Sequence, residues 1–145
     1  MYSVTVHGDS TGGEISLTDG WVPPGGGPPP HRHLHAIELI YVHTGTITVI
    51  IGDTEHTAVA GDTAVITPDT VHWFQNRTNK PARVLFVFTR AGIEEFFLQA
   101  GTPALPAIAV PSATAADNAA AAEIGARFGL VPPPPTTTDD DEVTP

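Results

Sequence analysis

His31-Arg32-His33-Leu34-His35-Ala36-Ile37-Glu38 is the stretch that decides how the rest of the chain is read. In an extended strand, residues two apart share a face and their Cα atoms lie about 6.5 Å apart. His31 and His33 can therefore turn two imidazoles toward one ion, while Arg32 alternates to the outer face. Glu38 follows five residues after His33, across Leu34–Ile37, where a returning strand brings a carboxylate beside the pair. A third imidazole is supplied by His72, which opens the apolar run His72-Trp73-Phe74-Gln75-Asn76, an odd place for a lone histidine. Two imidazoles from one strand, a carboxylate from its neighbour and an imidazole from a third make a metal site with positions left open for water or substrate.

Outward from this stretch the chain reads as short strands between turns. The runs are Ser3–His7, Glu14–Leu17, His31–His35, Glu38–His43, Thr46–Ile51, Glu55–Ala58, Thr63–Ile66, His72–Gln75 and Arg83–Thr89. They are rich in Val, Ile, Thr and Phe, and several alternate apolar with polar. Breaks fall at Thr44-Gly45, Gly52-Asp53, Ala60-Gly61-Asp62 and Asn76–Pro81, where turn chemistry puts them. An all-β sandwich or barrel follows. Trp21–Pro30, with Gly25-Gly26-Gly27 and Pro28-Pro29-Pro30, reads as a stiff loop feeding His31; no Lys or helix follows it as a phosphate-binding loop requires.

After Arg90 the pattern changes. Ile93, Phe96, Phe97 and Ala100 fall at helical spacing, and Gly101 can end that helix. Pro103–Pro111 reads as an extended connector. Thr114–Phe128 is Ala-rich and predicts a second helix, stopped by Gly129 and Pro132. The division expected is a β domain over 1–111 that includes the helix at about 92–101, an added helix over 112–131, and a flexible acidic tail over 132–145.

Composition narrows the function classes. The 145 residues carry sixteen Asp+Glu against six Lys+Arg, a formal net charge of −10, which gives no electrostatic reason to bind nucleic acid or an anionic membrane. With no cysteine, disulfides, zinc fingers and thiol catalysis drop out, and a metal site must use His and carboxylates. The first residues have neither the basic nor the apolar region of a signal peptide. No apolar run reaches the roughly 18 residues of a membrane span. The expectation is a cytoplasmic protein that binds neither nucleic acid nor membrane.

The spacing Gly25-x5-His31-x-His33-x4-Glu38-x6-Gly45 resembles the first signature of the cupin superfamily, and Gly61-x5-Thr67-x-Asp69-x2-His72-x3-Asn76 resembles the second. Fifteen residues separate Gly45 from Gly61, as suits a small single-domain cupin. Thr67 stands where a Pro is usual and Asp69 where a Gly is usual; both are turn positions, and neither is a ligand. The resemblance implies a double-stranded β-helix, a small barrel with short C-terminal helices and the metal inside, and a ligand set of His31, His33, Glu38 and His72. His35 continues the period of His31 and His33, so it stands as a substitute for Glu38 or as a nearby base. In a regular strand, however, it would sit about 13 Å from His31. His35 and Glu38 are the catalytic candidates. Ile40, Val42, Val49, Ile51, Phe74, Phe86 and Phe88 are candidates for a cavity wall. His7, His43 and His56 are read as ordinary surface or packing residues.

A fold of this kind fixes no reaction, and three classes compete. The apolar Leu34-His35-Ala36-Ile37 with its added imidazole is similar to the cupin-type cyclases of aromatic polyketide pathways, of the resistomycin-pathway kind. That resemblance implies aldol-type closure of a poly-β-ketone around one divalent ion, zinc, in antibiotic biosynthesis. The stretch Pro81–Thr89 and Gly92–Phe97 is similar to quercetinase-like cupins, which implies a dioxygenase using iron or nickel. A non-catalytic small-molecule-binding module is the third. The expected partners are an apolar aromatic or polyketide small molecule and, through the strand at Ser3–His7, a second copy in a homodimer.

Overall fold

The computed structural model describes residues 1–101 and 114–135. The connector expected at Pro103–Pro111, the boundary at 111/112 and the tail from residue 136 onward lie outside the described residues. Ten strands and two helices follow one another: β1 (Tyr2–Val6), β2 (Ile15–Val22), β3 (Arg32–His33), β4 (Glu38–Thr44), β5 (Thr46–Ile51), β6 (Thr54–Val59), β7 (Thr63–Ile66), β8 (His72–Gln75), β9 (Ala82–Thr89), α1 (Ile93–Ala100), α2 (Ala115–Arg127) and β10 (Leu130–Val131). None of the helices is long and apolar enough to cross a membrane among the described residues.

A five-stranded sheet runs β1-β2-β9-β4-β7, and a three-stranded sheet runs β6-β5-β8. The expected all-β double-stranded β-helix is what forms, but the ladders do not join into a closed barrel among the described residues. The strands nearest the site are too short to close it. β3 has two residues and pairs only with β10, and a single bridge between His31 and His72 links it to the smaller sheet.

Alternation explains the core. Along β9 the inward residues are Ala82, Val84, Phe86 and Phe88, and along β4 they are Glu38, Ile40 and Val42; all are buried. His72 and Phe74 face inward on β8 in the same way. The period of two thus carries both the apolar core and the polar ligands on one surface, with chemistry at one end of each strand and packing along the rest.

Three elements differ from the sequence reading. β2 extends through Trp21 and Val22 because it pairs along its whole length with β9. The strand expected at His31–His35 stops at His33. The second helix ends at Arg127, and Leu130-Val131 becomes a strand paired with Arg32-His33, a non-local pairing that helical periodicity cannot reveal.

Candidate metal centre

Four elements deliver the site. His31 leaves the proline loop, His33 ends β3, Glu38 opens β4 and His72 opens β8. The residues are 8%, 2%, 4% and 0% exposed, and their ligand atoms all lie within 4.8 Å of one another. The loop before His31 depends on a close approach. A Cβ on Gly27 would stand 1.9 Å from the Phe74 carbonyl oxygen, so only glycine lets this backbone pass β8.

Hydrogen bonds aim the rings. His31 Nδ1 meets the Pro29 carbonyl at 3.0 Å and His72 Nδ1 meets the Thr70 carbonyl at 2.9 Å, turning both Nε2 atoms inward. Glu38 Oε2 lies 3.1 Å from His33 Nε2 and 2.8 Å from His72 Nε2. His33 Nδ1 is buried without a partner among the described residues.

The protonation pattern fits a cation. Burial, then the positive neighbour His72, pushes His31 down to about 4, which leaves its imidazole neutral with a lone pair free at Nε2. Burial opposes ionisation of Glu38, yet the hydrogen bonds from His33 and His72 hold its carboxyl at about 2. Burial likewise opposes the charge on His72, and the Glu38 hydrogen bond overcomes it, raising the pKa. Both ring nitrogens of His72 face acceptors, so the ring satisfies them only when it carries two protons or a cation at Nε2. A metal ion meets this requirement. Its bonds to N and O donors run about 2.0–2.2 Å, which sets donors roughly 3–4 Å apart, as this cluster allows.

His35 is not the substitute donor. The chain bends after His33, with Leu34 N–H on the Gly129 carbonyl, and carries His35 to an exposed position outside the cluster. There it lines a second cavity of about 270 Å³ with Arg90 and Phe128, which His33 also borders. Arg32 points outward, its guanidinium 2.6 Å from Asp69. His43 and His56 are exposed. His7, read as an ordinary surface or packing residue, reaches Glu95 Oε1 at 2.8 Å, a contact 88 residues away and beyond local patterning.

A cavity of about 420 Å³ opens onto His31, His33 and Glu38. Its apolar wall comes from Phe74, Phe86, Phe88, Phe96 and Phe97. Ile40, Val42, Val49 and Ile51 do not reach it: the first three are packed in the core and Ile51 lies half-buried against it. Val42 lies four residues beyond Glu38, about 13 Å along β4, while Ile40 and Val49 stand directly beside Phe86 and Phe74 in the ladders, and it is those larger rings that line the cavity. Tyr2, Asn118, Ala121 and Ala122 also line the cavity, and the sequence reading passed over all of them. Helical spacing already marked Phe96 and Phe97 as one apolar face; for residues of β1 and α2, no local signal points to a site assembled around residue 38.

Fold and site together define an all-β protein with the double-stranded β-helix architecture and a buried cluster of three imidazoles and one carboxylate. Residues 21–88 match the cupin domain family. Germin-like protein 1-1 of Oryza sativa subsp. japonica is 39% identical over 70 residues, covering 45% of this chain and 32% of that protein. The chain thus spans about a third of the length of the curated relative it matches. KdgF from Halomonas sp. superposes with a TM-score of 0.59 at 17% identity, over 65% of this chain and 81% of its own. A sugar phosphate isomerase of the cupin superfamily from Silicibacter pomeroyi superposes with a TM-score of 0.53 at 31% identity, over 62% of this chain and 60% of its own.

Proposed function

We propose that this chain is a zinc-dependent cyclase that closes a ring by aldol-type condensation in a poly-β-ketone, as in aromatic polyketide antibiotic biosynthesis. The supporting observation is the aromatic-walled cavity opening directly onto the donor cluster. Its volume suits a small organic ligand, and its apolar walls favour a flat, greasy substrate over a small polar acid. A divalent ion held by His31, His33, Glu38 and His72 supplies Lewis acidity to enol or carbonyl oxygens of the substrate.

The chain's own residues do the rest. The phenylalanine walls exclude water and flatten the ligand. Glu38 takes His33 and His72 through Oε2 alone, so Oε1 is the atom placed to accept an α-proton. Held at about 2, Glu38 is a weak base. The C–H must therefore be strongly acidified for the transfer to run. His35, outside the cavity, is not the base.

The same carboxylate beside an aromatic cavity also favours a second reading, a quercetinase-like dioxygenase with iron or nickel. Elemental analysis of the purified protein, with an oxygen electrode and a flavonol, separates the two. Zinc without oxygen uptake supports the cyclase, and iron or nickel with stoichiometric oxygen consumption overturns it. Ligand binding with no product by mass spectrometry identifies a non-catalytic binding module. A cytoplasmic location is part of this proposal.

A further inference from the structure

We propose that the Tyr2 hydroxyl is a hydrogen-bond donor to an oxygen of the bound ligand, setting how an oxygenated aromatic lies in the cavity of the donor cluster. This inference rests on the cavity being the ligand site, as proposed above, but not on the reaction.

The register of β1 against β2 pairs Tyr2 with Gly20, on the face of the sheet that looks inward. Gly20 has no side chain, and the Tyr2 ring occupies the space. A Cβ there would stand 3.0 Å from Tyr2 Cδ1 and Cε1 and 2.9 Å from Phe86 Cε2. Phe97 holds the ring from another side at a centroid distance of 4.8 Å, and Phe86 lies at 6.2 Å. The ring is thus seated on three sides while the residue stays 47% exposed.

Tyr2 lines the same cavity as His31, His33 and Glu38. Its hydroxyl has no hydrogen-bond partner among the described residues, so it is free to bond a ligand that enters the cavity. Burial, then the negative charge of Glu38, raises the phenol above its usual value, so it keeps its proton at neutral pH and can donate it to a ligand oxygen. A purely apolar wall would be served equally well by phenylalanine. The oxygen is the feature that packing does not account for.

The test uses the zinc-loaded full chain and two probes of equal ring count, 1,8-dihydroxyanthraquinone and anthracene, titrated by fluorescence. Tyr2→Phe should weaken the dihydroxyanthraquinone about tenfold, the scale of one neutral hydrogen bond. It should leave anthracene within about twofold and the zinc content unchanged. Tyr2→Ala, which also removes the ring, should weaken both probes. Equal affinity of wild type and Tyr2→Phe for the dihydroxyanthraquinone overturns the inference and leaves the cavity reading standing, as does a parallel loss for both probes. A wild-type protein that binds neither probe overturns the cavity reading itself, and the inference with it.

Discussion

At Glu38 two imidazoles meet one carboxylate oxygen, and that contact organises the site. Replacing the carboxylate with an amide removes the charge and half the acceptor capacity while keeping the shape. Glu38→Gln should therefore weaken zinc binding by at least 10–100-fold, whereas His35→Ala should bind zinc like the wild type. Competition against a chromophoric chelator measures both, and equal losses would contradict the assignment. Acid should act on the metal-free protein in two windows. His31 falls from a usual 6.5 to about 4 on folding, so the unfolded chain binds its proton more tightly and stability is lost as pH drops from about 6.5 through 4. Glu38, down from 4.5 to about 2, contributes fully above about 4.5 and loses that contribution as pH falls toward 2. His72 is raised, so its contribution is full below 6.5 and fades as pH rises through its folded value. Urea midpoints in the presence of EDTA at several pH values should show the acid loss. A midpoint flat from pH 7 to 3 would contradict it.

Among the elements, the turn between β7 and β8 shows how a departure from the usual pattern is accommodated. Asp69 has φ +63, a left-handed conformation that costs a residue other than glycine about 1–2 kcal/mol. Its N–H bonds the His33 carbonyl at 2.7 Å and its carboxylate holds Arg32, so both contacts tie the turn to the ligand strand. Asp69→Gly relieves the backbone but gives up a half-exposed ion pair worth about 0–1 kcal/mol. It should stay within about 1 kcal/mol of wild type, while Asp69→Val, branched at Cβ, should lose about 2 kcal/mol. Urea denaturation distinguishes them, and an unharmed Asp69→Val would show that the turn relaxes freely. β10 is the other element that secures the site. It pairs Leu130 with His33 and Val131 with Arg32, and the Pro132 carbonyl accepts from Arg32 Nε at 3.2 Å. The C-terminal segment thereby braces the two-residue ligand strand and carries Asn118, Ala121 and Ala122 to the cavity.

For the whole molecule, the cluster can hold a metal in the folded state only, because its donors come from separated parts of the chain. Zinc at 100 times its dissociation constant should stabilise the fold by about 2.7 kcal/mol. For a chain of this size that is roughly 5–10 °C in Tm. Differential scanning calorimetry with and without EDTA checks this, and an unchanged Tm would mean that the cluster is no metal site. β1 lies at the edge of the five-stranded sheet, with one side of its backbone unpaired among the described residues. We propose that a second copy adds there, as the strand pattern at Ser3–His7 led us to expect. Light scattering should then give twice the 15.2 kDa of one chain; a mass of one chain would leave that edge uncovered.

Thr46–Ile51, Thr63–Ile66 and His72–Gln75 were legible to the residue, and the helix expected at about 92–101 runs Ile93–Ala100, because each carries its own period. That His31 and His33 share a face, and that Glu38 shares one with Ile40 and Val42, was legible for a related reason: strand parity is local. Parity cannot say how far along a strand the cavity extends, so Ile40, Val42 and Val49 looked like walls until packing placed them in the core. Nor does any local rule hold Leu130 against His33, Glu95 against His7 or Tyr2 over Gly20, since these meetings depend on closing loops of dozens of residues. The chain's own order of residues determined which side chains could face inward. Only the folded molecule decided which of them meet, because contacts between distant segments are set by the geometry of two sheets packed together and not by the neighbours of any one residue.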